Sequence, residues 1–396
     1  MHLTRRKTNS FLLEATILLG STMTVIAGAT IAPALPQMAT HFQATPYAAL
    51  LVKMLLSVHA LFIAISAPFM GILMDRYGRK PVLIITVALY GIAGSSGFFL
   101  DSLYWIIAGR ALLGVAVAGI MSGFTTLIGD YFTGTKLNQV MGLQSAFTGF
   151  GGMIFVSTAG ILTDSGWRYP FLIYLFAFAV LPGVITFLYE PFREKNAAVK
   201  PDFDSAKKSV SMQKVFGIYF LAFFGMLVYY MVPVQFPFYM KTAWHFSSTQ
   251  IGIAIGVLSM TNAISSMQFK KVKLKLSHVQ IFILVWLLMG AGCITLALST
   301  GYWMIHLALV IDGCGFGLLM PNVNVWLVSI VPESVRGKFI GGLTTFFLLG
   351  QFVSPMVLEP LVKKVGAGSS FLWVGILLII MAAGFRLIPG QNQKNR

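Results

Sequence analysis

The sequence predicts an all-α membrane protein of twelve transmembrane helices in two pseudo-symmetric six-helix bundles. Three observations carry that prediction. Of 396 residues, 57% are apolar and only 10% are charged, against about 25% charged in an average soluble domain. Apolar stretches recur near 11–36, 49–74, 81–100, 103–129, 139–163, 169–189, 215–240, 249–268, 279–299, 302–331, 338–362 and 369–389. Each can cross hydrocarbon as a helix, for which about 20 residues suffice, and each is too long for a barrel strand. The least apolar stretch, 190–214, then divides the runs six and six, giving bundles over 1–189 and 215–396 joined by a linker. This composition excludes a soluble enzyme, a disordered tail protein and a disulfide scaffold. Cys293 and Cys314 both lie in apolar runs and say little about redox compartment.

The first run follows Arg5, Arg6 and Lys7, as a signal peptide would. It is too long for one and eleven more follow, so it reads as an uncleaved first helix. The net charge of +16 raises nucleic acid as a partner, but the positive residues fall in the gaps between apolar runs. They read as topology signals, and no nucleic-acid role is expected. With the amino terminus inside, 22 of the 28 lysines and arginines fall in inner segments. Five, Lys53, Arg168, Lys241, Lys363 and Lys364, fall outside, and Arg110 lies within a span. The positive-inside rule thus predicts a multi-pass protein of the cell (inner) membrane with both termini cytoplasmic.

The two halves carry faint self-similarity. Tyr104-Trp105 recurs as Tyr302-Trp303 and Gly119 as Gly317, in one register; His41-Phe42 and Thr45 recur as His245-Phe246 and Thr249 in another. With the six-plus-six division these favour parallel duplicated bundles, whose substrate site lies near the midplane between them. A transporter that rocks one half against the other is the reading this supports.

Between spans two and three lies Gly71-Ile72-Leu73-Met74-Asp75-Arg76-Tyr77-Gly78-Arg79-Lys80. Gly71 can admit a close helix, Gly78 a turn of positive φ, and Asp75 can face the positive end of a helix. The segment resembles the Gly-x-Leu-x-Asp-Arg-x-Gly-Arg-Lys signature of the major facilitator superfamily, here in its twelve-span drug/proton antiporter-like branch. The resemblance implies the major facilitator fold and a cytoplasmic latch. Asp75 would face the start of span eleven, near 337–342, and Asp130 would partner Arg76 or Arg79. The matching loop of the second half has Lys270, Lys271, Lys273 and Lys275 but no acid, so the latch is expected on one side.

Arg110, followed by Gly114 and Gly119, is similar to the family's Arg-x-x-x-Gly pattern, which is associated with proton coupling. Packing the bundle through hydrogen bonds is the other role open to a buried arginine. Span five departs from the family. Gly142, Gly149, Gly151, Gly152 and Gly160 are present, but no proline occurs between Pro81 and Pro170, which leaves the direction of transport open.

Asp312 lies about ten residues into span ten, hence about 15 Å deep, where an isolated carboxylate is expensive. It is the leading candidate for a proton carrier, with a neutral acid bonded to a neighbouring helix as the other reading. Its counterpart in the first register is Gly114. Glu14, one turn inside span one, either snorkels to the cytoplasmic interface or faces a cavity. His59 and His306 either titrate near neutral pH or make helix contacts. No histidine or cysteine spacing suggests a metal, and no phosphate-binding loop is present, so no cofactor is expected. A cavity would be suited by Tyr229, Tyr230, Gln235, Asn322, Asn324, Trp326 and Gln351. Pro33, Pro36, Pro233, Pro237, Pro321 and Pro355 can kink helices toward it.

The function expected is secondary active transport, not enzymatic catalysis: proton-coupled efflux of small amphipathic compounds by alternating access, with no catalytic residues. The alternative is an anionic metabolite or siderophore, with Arg110, Lys53 and Arg168 serving its charge. The partners expected are a small-molecule substrate, protons and the lipid bilayer, and the chain is expected to work as a monomer.

Overall fold

The computed structural model describes residues 10–191 and 210–386. The expected linker lies outside the described residues except at its ends, and so do Arg193, Glu194, Lys195, Lys200, Asp202, Asp204, Lys207 and Lys208 within it. Arg5, Arg6, Lys7, Lys394 and Arg396 lie outside them too.

Among the described residues, twelve helices are long and apolar enough to cross a membrane. They are α1 (Phe11–His41), α2 (Val58–Tyr77), α3 (Arg79–Phe99), α4 (Leu103–Tyr131), α5 (Gly134–Ser165) and α6 (Tyr169–Thr186). The others are α7 (Met212–Ala243), α8 (Ser248–Lys273), α9 (His278–Ala297), α10 (Tyr302–Ile330), α11 (Glu333–Val365) and α12 (Ala367–Phe385). Their surfaces explain the composition. Ile72, Ile85, Ile92, Trp105, Ile154, Trp303 and Ile380 are exposed, a pattern water would penalise and hydrocarbon does not.

Proline breaks the opening helix of each half at a similar place. In α1 the helix Ser10–Ala29 gives way to a 3-10 turn at Ala32–Ala34 and restarts as Leu35–His41, around Pro33 and Pro36. In α7 it runs Met212–Tyr229 and resumes as Met231–Ala243, with Pro233 and Pro237 just beyond. A proline lacks the N–H that would bond one turn back, so the register slips there. The second span starts later than expected. Ala48–Met54 is a separate short helix, closed by a turn in which Ser57 N donates to Met54 O at 2.9 Å.

The chain divides into two compact units. One is Met1–Val199 with Ser247–Gly252, and the other is Lys200–Phe246 with Ile253–Arg396. In the first, α4 packs on α2 and α3, α1 on α5, and α3 on α6. In the second, α10 packs on α9, α7 on α11, and α9 on α12, which is the same scheme six helices on. The register proposed from the sequence needs one correction. A Cβ at Gly114 would meet His59 O and Phe62 of α2, and one at Gly313 would meet Leu258 O and Thr261 of α8. Those two glycines therefore correspond, which sets Leu113, not Gly114, opposite Asp312. Gly119 faces Thr86 of α3 while Gly317 faces Asn262 and Ser265 of α8, so that repeat is a coincidence of letters.

Candidate functional site

The loop between α2 and α3 turns on Gly78, whose φ of +94° is open to glycine and strained for other residues. It is flanked by Asp75 and Arg76, both exposed, with the Arg76 guanidinium 5.3 Å from the Tyr77 ring centroid. Arg79, not Arg76, pairs with Asp130, and its Nη1 also donates to Thr126 O at 3.1 Å. Gly71 does not serve close packing here: a Cβ there would meet no atom within 4 Å among the described residues.

The first N–H groups of α3 have no partner within their own helix. Glu190, just past α6, supplies one: its carboxylate accepts from Arg79 N at 2.7 Å and Lys80 N at 2.8 Å. Lys80 Nζ donates in turn to Ile185 O, in the last turn of α6, at 2.7 Å. Beside them Tyr131 and Tyr189 stack with centroids 4.4 Å apart, and Tyr189 N donates to the Tyr131 hydroxyl at 3.1 Å. The sequence reading left Glu190 in the linker. The signal available was a carboxylate at a span end, facing a helix start rich in basic residues.

Arg110 is 1% exposed. Its Nε donates to Leu55 O at 2.9 Å, Nη1 to the Tyr174 hydroxyl at 2.6 Å, and Nη2 to Ala27 O at 2.6 Å. Nη2 also lies 3.4 Å from His59 Nδ1, and guanidinium can only donate, so that ring nitrogen is an acceptor. Both Ala27 and Leu55 stand where a helix is interrupted, so the cation bonds carbonyls that regular helix would have occupied.

In the second unit Asp312 is 2% exposed, and neither of its carboxyl oxygens has a hydrogen-bond partner among the described residues. On the α9 side a Cβ at Gly292 would lie 2.8 Å from Asp312 Cβ and 2.8 Å from its N, so glycine is what lets the helices meet. One turn on, Phe316 stacks on Tyr229 with centroids 3.5 Å apart and planes 10° from parallel, and Phe347 lies 6.3 Å from Phe316. The Tyr229 ring thus lies against α10 one helical turn from Asp312.

The other residues expected in a cavity are dispersed. Asn322 is fully buried and locked to the start of α9, its Nδ2 on His278 O at 3.0 Å and its Oδ1 on His278 Nδ1 at 2.9 Å. Trp326 stacks on the same histidine at 5.7 Å. Asn324 bonds its own helix at Met320 O, 3.0 Å away. Tyr230 and Gln351 are buried. Gln235 Nε2 donates to Glu359 Oε2 at 3.1 Å. Glu359 is itself buried, at 6% exposure. Glu14 pairs with Lys136 at 2.9 Å, and His306 Nδ1 lies 2.9 Å from Tyr302 O of its own helix. Asp164 accepts from Ser248 N at 2.9 Å and Thr249 N at 3.2 Å within the first unit. Beside it a Cβ at Gly160 would lie 2.9 Å from Gly252 Cα. The described residues contain no group of three or more histidines, cysteines or acids placed to hold a metal ion.

Residues 17–242 and 218–396 match the Major Facilitator Superfamily. The multi-drug resistance efflux pump PmrA of Streptococcus pneumoniae is 25% identical over 348 residues, covering 84% of either chain. The tetracycline resistance protein, class C, of Escherichia coli is 25% identical over 340 residues, covering 83% of either. Among solved structures, the xylose transporter XylE from E. coli superposes with a TM-score of 0.77 at 16% identity, over 97% of this chain and 98% of that one. The twelve apolar helices and these matches along nearly the whole chain make it a multi-pass membrane transporter, not an enzyme, and a member of the Major Facilitator Superfamily.

Proposed function

We propose that the protein exports small amphipathic compounds in exchange for protons, by alternating access, with Asp312 as the proton carrier. The observation that carries this reading is the Asp312 carboxyl itself, buried where α9 and α10 meet with no hydrogen-bond partner among the described residues. An ionised carboxylate in such a place is costly, whereas a neutral acid is tolerated. The group then loses its proton only when water or a cationic cargo reaches it, which is how one site couples two fluxes. The names of the two sequence relatives, one a multi-drug resistance efflux pump and the other a tetracycline resistance protein, support this direction. An anionic cargo would need a free cation, and the donors of Arg110 are committed to Ala27, Leu55 and Tyr174. Arg110 in this reading holds α1, the α2 approach and α6 together, and the Asp75–Lys80 loop with Asp130 serves the cytoplasmic gate.

The test is the internal pH of proteoliposomes under an imposed proton gradient, on addition of cationic, neutral and anionic compounds in turn. Proton movement evoked by amphipathic compounds and abolished by Asp312→Asn is the expected result. Undiminished proton-driven transport by that variant removes Asp312 from the mechanism, and a response to anions alone replaces the cargo.

A further inference from the structure

Resting on the reading of Asp312 as proton carrier, we propose that Tyr229 is the hydrogen-bond donor that receives the Asp312 carboxylate when its proton leaves. The surroundings of Asp312 on each neighbouring helix lead there. From α9 comes Gly292, in contact with the Asp312 backbone, followed directly in sequence by Cys293. Further along α9, Trp286 and Met289 are fully buried, and the Trp286 indole N–H has no hydrogen-bond partner among the described residues; Trp286 and Leu319 of α10 both lie against Gly225. From α8 come Leu258 O, Thr261 and Asn262, which abut Gly313 next door. Thr261 spends its hydroxyl hydrogen on Val257 O at 2.8 Å in its own helix. From α7 comes Tyr229. No lysine, arginine or histidine is among these neighbours, so a bare carboxylate would have no cation to face.

Tyr229 has the geometry of a held donor. Its ring is clamped flat on Phe316, four residues beyond Asp312 on the same helix, at 3.5 Å between centroids. Stacking of this kind fixes the ring plane and leaves the hydroxyl hydrogen free to rotate. When the acid gives its proton to water or to the aqueous cavity, the phenol O–H···O⁻ bond forms in its place. No covalent bond changes, and the phenol keeps its own proton. A bond to a charged acceptor is worth more than one to a neutral acid, so the tyrosine favours the deprotonated form without holding the protonated one. That makes Tyr229 a positioning residue of the coupling step, distinct from a wall of the cargo cavity.

Infrared spectroscopy of the purified full-length protein across a pH series tests this without knowledge of the cargo. The protonated carboxyl C=O band assigned to Asp312 is the one that Asp312→Asn removes. In Tyr229→Phe, which keeps the ring stack, the band is expected to persist to a proton concentration about tenfold lower than in the wild type. Melting behaviour like the wild type's confirms that the variant is folded. If Tyr229→Phe titrates as the wild type does, the proposal is overturned. It is equally overturned if Cys293→Ala produces the shift and Tyr229→Phe does not, since the donor is then on α9. If no carboxyl band is lost in Asp312→Asn, it is the proton-carrier reading that fails, and the result is distinguishable from either of these.

Discussion

Glu190 and Lys80 each close the helix to which the other belongs. The carboxylate at the end of α6 accepts from the first N–H groups of α3, and the ammonium at the start of α3 donates to the last turn of α6. Each charge sits at the helix end whose dipole favours it. Glu190→Ala removes two charge-assisted bonds and leaves two N–H groups to find water. A loss of about 1–3 kcal/mol is expected, readable as a lower melting temperature in detergent. Glu190→Gln retains one acceptor oxygen and is expected to lose less. Equal stability for all three proteins would mean the contact contributes nothing.

Gly78 is doubly constrained. Its φ is +94°, and an added Cβ would lie 2.9 Å from the Glu190 carboxyl carbon. Gly78→Ala is therefore expected to destabilise by about 1–3 kcal/mol. In a Glu190→Ala background the steric part of that cost disappears, and a double-mutant cycle would expose the coupling.

Gly71 offers the opposite case within the same motif. It is helical, with open space where a side chain would go. Gly71→Ala is expected to stabilise α2 by about 0.4–1 kcal/mol. A marked loss of stability would show that some contact, absent among the described residues, needs the glycine.

At Gly292 the substitution to alanine pushes a methyl group against the Asp312 backbone. Overpacking of this sort costs about 1–3 kcal/mol, and it forces α9 and α10 apart beside the carboxyl. Gly292→Ala is expected to lower the melting temperature and to impair proton-coupled transport more than passive cargo equilibration. Both are measurable in the same proteoliposomes.

Span number was legible because hydrocarbon demands long apolar runs, and such runs survive any uncertainty in packing. The break after Met54 was not legible: Leu55, Leu56 and Ser57 are as apolar and helix-compatible as their neighbours, and the turn there depends on tertiary partners such as Arg110. The place of Asp312 along α10 followed from counting residues along a straight helix. Its neighbours did not, since Tyr229, Asn262 and Gly292 come from three other helices whose rotation no periodicity fixes. Asn322 and Trp326 were placed with them because they are polar or amphipathic in span ten. They belong instead to a knot with His278 at the start of α9, three turns away. Glu190 escaped notice because its role is to complete another helix, and no local pattern marks such a residue.

The Arg110 guanidinium joins Ala27, Leu55 and Tyr174, three points distant along the chain, at one buried centre. Local opening of any one of them strands a charge in a dry interior, a penalty of several kcal/mol. The three segments are thereby forbidden to fray one at a time. In an amide-exchange experiment they would lose protection together, as a single cooperative block, although prolines and turns leave two of them short of regular helix. The weakest stretches of backbone in this half of the molecule thus acquire the opening energy of its core.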